Sequence, residues 1–68
     1  MAKRISSQQF LKIISVHDFS FISQSGSHAK YRNSQGKTVI VPHPRKDIPI
    51  GTLRSMIRQT DLPKELFE

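Results

Sequence analysis

The chain has 68 residues and no cysteine. A chain of about 60 residues buries only roughly 60% of its unfolded surface, so we expect a single domain over residues 1–68, and large enzyme architectures are excluded. Without cysteine, disulfides and thiolate zinc sites are excluded as well. The longest apolar runs are too short for a signal peptide or a membrane span. We therefore expect a cytoplasmic protein that does not interact with membranes.

The charge is concentrated in the first two thirds of the chain. The formal net charge is +6; residues 1–46 carry eight Lys and Arg against one Asp, and residues 47–68 carry three against four Asp and Glu. A basic surface attracts polyanions, and nucleic acid is the abundant polyanion of the cytoplasm. The charge indicates a nucleic-acid partner, with a merely solvated basic surface as the alternative.

A first helix is predicted from Ser7. Ser6 and Gln9 have the spacing of a capping box, and Ile5 and Phe10 occupy the hydrophobic-staple positions around it. The helical spacing of apolar residues continues to about residue 17, which predicts an inward stripe that His17 completes. The stripe consists of Phe10, Leu11, Ile13, Ile14 and His17.

Three strands are predicted, at about residues 19–24, 28–32 and 37–41. The first should be half-buried through Phe19 and Phe21, and Gly26 ends it or introduces a bulge that shifts the alternation. The turn-forming residues 33–36 join the second and third strands into an antiparallel hairpin. Pro42 ends the third strand, because proline cannot donate a ladder hydrogen bond.

After a loop over residues 42–48, a second helix is predicted from Ile50 to about Gln59, followed by a short turn that docks Leu66 and Phe67. The order is α-β-β-β-α. We expect an α+β, two-layer fold in which both helices cover one face of a three-stranded antiparallel sheet. Double-stranded-RNA-binding domains share this order, although a shared fold does not establish function.

The acidic residues do not predict a metal site. They occur singly or at the chain end, whereas two-metal nuclease chemistry needs converging carboxylates. The three histidines are far apart in sequence and have no cysteine partners, which also disfavours zinc. No metal and no cofactor are expected, so histidine is the one plausible acid or base near neutral pH.

The histidines differ in their expected roles. His17 should pack inward at the helix end, and His43 lies between two prolines in a loop. His28 opens the second strand, where alternation places Lys30 and Arg32 on its face and Tyr31 on the other. An imidazole and two cations are the groups that RNA cleavage needs for proton transfer and phosphate binding. From spacing alone, these residues fit an alternative equally well: charged side chains that keep an edge strand soluble and prevent it from pairing with another chain.

Three segments together resemble one protein family: residues 26–31 (GSHAKY), 39–44 (VIVPHP) and 51–59 (GTLRSMIRQ). Their order and spacing are similar to those of the HicA toxins, also called the YcfA-like family. The resemblance covers nearly the whole chain. It implies a double-stranded-RNA-binding-domain-like fold, the activity of an mRNA interferase that inhibits translation and growth, and an antitoxin of the HicB type that covers the active surface.

The resemblance places the family's catalytic histidine on His28. Ser27 belongs to the same motif and serves either the turn or phosphate binding, and Tyr31 matches the motif but fits inward packing equally well. The assignment of Lys30 and Arg32 to RNA binding rests on strand geometry rather than on the family.

Two positions depart from the family pattern. Asp18 and Asp61 stand where glycine is usual, at sites expected to adopt a left-handed helix cap, which aspartate tolerates less well than glycine. Two alternative functions stay open: a nonenzymatic RNA-binding module of the same fold, and a protein-interaction domain whose open sheet binds a partner strand.

Overall fold

The computed structural model describes residues 4–68, and this part of the chain has the predicted α-β-β-β-α order. The three strands form an antiparallel sheet in the order β1-β2-β3. The predicted fold class is therefore confirmed. Across residues 4–68, none of the helices has the length and apolar character needed to cross a membrane. The elements are α1 (Ser7–Ser15), β1 (Ser20–Ser25), β2 (His28–Arg32), β3 (Thr38–Pro42), α2 (Ile50–Thr60) and a final 3₁₀ turn (Lys64–Phe67).

The start of α1 is held by the predicted capping box. The Gln9 backbone N–H donates to the Ser6 hydroxyl at 3.1 Å, and the Ser6 N–H donates to the Gln9 side chain at 2.9 Å. Ile5 and Phe10, the two staple residues, are both buried in the core. The helix therefore begins where its local sequence indicates, and the staple attaches its first turn to the rest of the fold.

The end of α1 corrects the prediction that the helix runs to residue 17. The helix ends at Ser15, because the His17 and Phe19 N–H groups both bond to the Ile14 carbonyl and the chain reverses at Asp18. His17 is consequently exposed outside the helix and is not part of the inward stripe. Asp18 has a φ of +78°.

A left-handed residue also ends α2. Asp61 caps the helix with a φ of +62°, and its side chain lies 3.7 Å from the Lys37 ammonium. Both aspartates therefore adopt the conformation expected from the family pattern. Asp18 makes a second contact, since the Ser34 hydroxyl and backbone N–H both donate to its carboxylate.

Strand β1 is more exposed than predicted. All of its residues are exposed, and only Phe19, just before the strand, is buried. The reason is position: β1 is an edge strand that the helices do not cover. A bulge lies at Ile22 rather than at Gly26, and Gly26 instead occupies the turn between β1 and β2 with a φ of +58°.

The core lies between the helices and the inner face of the sheet. Val39 and Val41 from β3 belong to one buried cluster with apolar residues of both helices, and Ala29 from β2 is buried as well. The final turn closes the core through Phe67, whose ring stacks on Phe10 at a centroid distance of 4.9 Å. Leu66, predicted to dock beside Phe67, stays exposed instead, because a single side chain of this turn points inward.

Candidate functional site

The open face of the sheet carries the candidate site. Ala29 and Tyr31 pair with Val41 and Val39, which face the helices, so the alternate residues of β2 lie on the opposite side. His28, Lys30 and Arg32 therefore share the open face, as the alternation predicted. Their cross-strand neighbours on that face are Ser20, Ser23, Ser25, Thr38, Ile40 and Pro42.

His28 is exposed at the first position of β2, directly after the turn formed by Gly26 and Ser27. Ser25 and Pro42 are its partners on the two neighbouring strands. Gly26 has a positive φ, which allows a two-residue hairpin turn that a side chain would strain. The turn thus presents the His28 imidazole at the end of the sheet, where a ligand has free access.

The two cations continue along the same strand. Residues two apart in a strand are separated by roughly 6.6 Å, so Lys30 is the nearer cation to His28 and Arg32 lies about twice as far. Arg32 is oriented by Thr38, because its Nε donates to the threonine hydroxyl at 3.2 Å. Lys30 is half-buried between its neighbours and Arg32 is exposed. The face therefore combines one titratable group with a row of positive charge.

Ser27 contributes its backbone to the site. Its carbonyl accepts a hydrogen bond from the His43 N–H at 2.8 Å, which ties the β1–β2 turn to the loop after β3. Gln24 strengthens this connection: its side-chain amide donates to the carbonyls of His43, at 3.0 Å, and Gly26, at 3.1 Å. The turn that precedes His28 is thus hydrogen-bonded to the loop after β3. The Ser27 side chain is exposed.

His43 is a component of the scaffold. Its Nδ1 lies 2.7 Å from the hydroxyl of Ser7, the first residue of α1, and that hydroxyl also accepts the Arg45 backbone N–H at 2.9 Å. Ser7 is buried, and the tautomer of the His43 ring decides which of the two groups donates the hydrogen bond between them. His43 therefore links α1 to the loop that supports the turn before His28.

Three residues of this arrangement were missed by the sequence analysis: Gln24, Ser7 and Ser25. Gln24 and Ser7 act through partners that are distant in sequence, and no local pattern marks such contacts. Ser25 reaches the His28 position through the register, which depends on the bulge at Ile22. Tyr31 lies on the inner face, half-buried, with its ring edge-on to Phe21 at 5.7 Å.

The acidic residues and histidines of residues 4–68 do not converge on one point. Within residues 4–68, the structure has no group of three or more His, Asp or Glu that could hold a metal ion. The Ser34 hydroxyl, followed by the Ser34 N–H, donates to Asp18 and holds the pKa of its carboxyl below the ordinary value of 3.8. Its role is therefore to connect two loops.

The fold and the open basic face define a small α+β protein with an accessible histidine beside cations. A family model described as "HicA toxin of bacterial toxin-antitoxin" matches residues 7–62. The chain therefore belongs to the HicA toxin family and is a toxin of a toxin-antitoxin system. Membership implies an antitoxin partner, and the family is generally RNase-like. No curated protein matches the chain.

Proposed function

We propose that this toxin is a metal-independent endoribonuclease that cleaves mRNA, with His28 as the general acid or base. The observation that supports this proposal is the position of His28: exposed, at the first residue of β2, and on the same open face as Lys30 and Arg32. An imidazole there reaches a bound phosphodiester without any rearrangement of the core.

The proposed reaction is a transesterification, in which the phosphoryl group moves from the 5′-oxygen of one nucleotide to the 2′-oxygen of the preceding nucleotide. The 2′-hydroxyl loses its proton as the bond from its oxygen to phosphorus forms, and the bond to the 5′-oxygen breaks as that oxygen gains a proton. His28 performs one of these proton transfers. The products are a 2′,3′-cyclic phosphate and a 5′-hydroxyl end.

The cations stabilise the negative charge that develops on the phosphate. In this proposal Lys30 contacts the reacting phosphate, and Arg32 contacts a phosphate further along the RNA. The Ser27 hydroxyl, exposed in the turn beside His28, is the third RNA contact that we propose. Ser27, Lys30 and Arg32 therefore form the RNA-binding surface.

A HicB-like antitoxin would silence the enzyme in the cytoplasm by covering this face, because occlusion of substrate is the direct way to inhibit a nuclease. An acidic antitoxin surface would complement the net positive charge of residues 1–46. In the complex, amide exchange should slow over residues 26–43. Protection limited to residues 50–68 would contradict occlusion.

The test compares His28→Ala with His17→Ala, which removes a second exposed histidine from another part of the molecule. His28→Ala should reduce the RNA cleavage rate by about 10²- to 10⁴-fold. Both variants should keep the parent stability within about 0.5 kcal/mol, because both side chains are exposed. His17→Ala should keep the parent cleavage rate, and cleavage should persist in excess EDTA.

Two outcomes would reject the proposal. A folded His28→Ala protein that cuts RNA at the parent rate would favour the RNA-binding or protein-interaction alternatives. Loss of cleavage in EDTA that magnesium restores would reject the metal-independent mechanism. One feature disfavours the RNA-binding alternative: α2 begins with Ile50, Gly51, Thr52 and Leu53, without the lysines that RNA-binding domains of this fold commonly place there.

A further inference from the structure

An open groove of about 740 Å³ runs along one flank of α2, between the second half of the helix and the chain that follows it. It lies in the helical layer, on the opposite side of the sheet from His28. Three cations line it: Arg54 and Arg58, one helical turn apart, and Lys64 on the opposite wall. The floor between them is aliphatic, and it consists of Ile57, Leu62 and Pro63.

The three cations of the groove lack acidic partners. Within residues 4–68, no carboxylate lies within ion-pairing distance of Arg54, Arg58 or Lys64. The one acid in the lining, Asp61, is already 3.7 Å from the Lys37 ammonium. This groove is positive although residues 47–68 as a whole carry a slight negative charge.

The groove is also preformed. Asp61 reverses the chain in the left-handed conformation, and the buried Thr60 hydroxyl donates to the Ile57 carbonyl at 2.6 Å and accepts from the Leu62 N–H at 3.2 Å. These contacts set the path of residues 62–64 against the helix. Ile57 and Leu62 are half-buried and pack on the core, so the floor does not collapse when the groove is empty.

We propose that this groove docks an acidic, amphipathic segment of the antitoxin, at a contact separate from the His28 face. An aliphatic floor between cations suits a protein segment that places an apolar side chain between carboxylates. RNA is less suitable, because no aromatic side chain lines the groove to stack a base. A second copy of this chain is a poorer match, because its net charge of +6 repels a positive groove.

The inference rests on the toxin's having an antitoxin, and it does not depend on catalysis by His28. Its first test uses the ¹⁵N-labelled toxin and a synthetic peptide with leucines at helical spacing among glutamates. Amide shifts should concentrate at residues 54–64, and exchange of the leucines for glutamine at equal charge should weaken binding. Shifts centred on residues 26–43, or a stronger response of residues 54–64 to an RNA oligonucleotide of equal charge, would overturn the proposal.

The second test measures the affinity of the toxin for its own antitoxin. Arg54→Glu combined with Arg58→Glu should raise the Kd by about tenfold or more, because it places like charges against the acidic segment. Lys64→Glu, on the opposite wall, should act in the same direction. Lys12→Glu, an exposed cation on α1, is the matched control and should leave the Kd near the parent value.

The variants with reversed charge in the groove should cleave RNA at the parent rate. Their effect on antitoxin affinity can therefore be distinguished from any effect on catalysis. An antitoxin Kd that neither reversal changes would overturn the docking proposal and leave the assignment of His28 intact. Conversely, a His28→Ala variant that cleaves RNA at the parent rate would reject the catalytic role of His28 but would not bear on where the antitoxin docks.

Discussion

Ser7 and His43 are 36 residues apart, and their contact connects the helical layer to the loop that supports the His28 turn. Ser7 is almost fully buried, so its hydroxyl has no access to water if a partner is removed. The sequence indicated neither this contact nor its importance, because a serine at the first position of a helix ordinarily faces solvent. The structure assigns His43 to the scaffold and leaves His17 with no packing role.

His43→Ala and Ser7→Ala should each lower the free energy of unfolding by roughly 1–2 kcal/mol, since each breaks a part-buried hydrogen bond. The double variant should lose less than the two single losses combined, because both remove the same contact. Denaturant unfolding of all three proteins measures this coupling. Additive losses would show that the two side chains stabilise the fold independently.

A second residue-scale prediction concerns pH. Ser34 lowers the pKa of Asp18 in the folded protein, so the native state favours the ionised carboxylate. The stabilisation is complete above the ordinary carboxyl pKa of 3.8 and is lost as the pH falls through the lower folded value. Asp18→Asn should therefore lower the Tm at neutral pH, and the difference from the parent should shrink below about pH 4. A difference that is independent of pH would exclude the carboxylate as its cause.

At the scale of the elements, local sequence explains where both helices begin but only part of where they end. The capping box of Ser6 and Gln9 lies within three residues, so it was readable from the sequence. The end of α1 was predicted two residues late, because the spacing of His17 matches the stripe while the carbonyl of Ile14 is shared by two later N–H groups. The spacing of apolar residues does not show which later N–H groups will bond to the Ile14 carbonyl.

The two left-handed aspartates allow a matched comparison of helix ends. Asp61→Gly should raise the free energy of unfolding by roughly 0.5–1 kcal/mol, because glycine adopts a positive φ at no steric cost. The exposed ion pair with Lys37 that is lost contributes little. Asp18→Gly gains the same conformational ease but loses two hydrogen bonds from Ser34, so we expect no net gain. Thermal and denaturant unfolding would measure both, and equal gains would contradict the role given to Ser34.

At the scale of the whole molecule, the helices cover one face of the sheet and leave the other to the basic strand. RNA affinity should therefore depend on salt through the open face. Lys30→Ala and Arg32→Ala should each weaken binding across RNA sequences and reduce the slope of log K against log salt by about 0.7–0.9. Lys12→Ala, in the helical layer, should keep the parent slope. Unchanged slopes in both strand variants would remove Lys30 and Arg32 from the RNA-binding surface.

Much of the architecture could be inferred from local patterns. The element order, the hairpin of the second and third strands, and the grouping of His28, Lys30 and Arg32 depend on periodicity, turn residues and strand alternation, which act over a few residues. The three segments that resemble the HicA family predicted the family, and the family match over residues 7–62 confirmed it.

Tertiary contacts decided what local patterns do not contain. Whether Phe21 is buried depends on how far the helices extend over an edge strand, and which serine faces His28 depends on a bulge one strand away. The link from Ser7 to His43 exists because residues distant in sequence meet in the folded chain. A sequence pattern specifies which face a residue occupies, but the covering of that face is a property of the packed molecule.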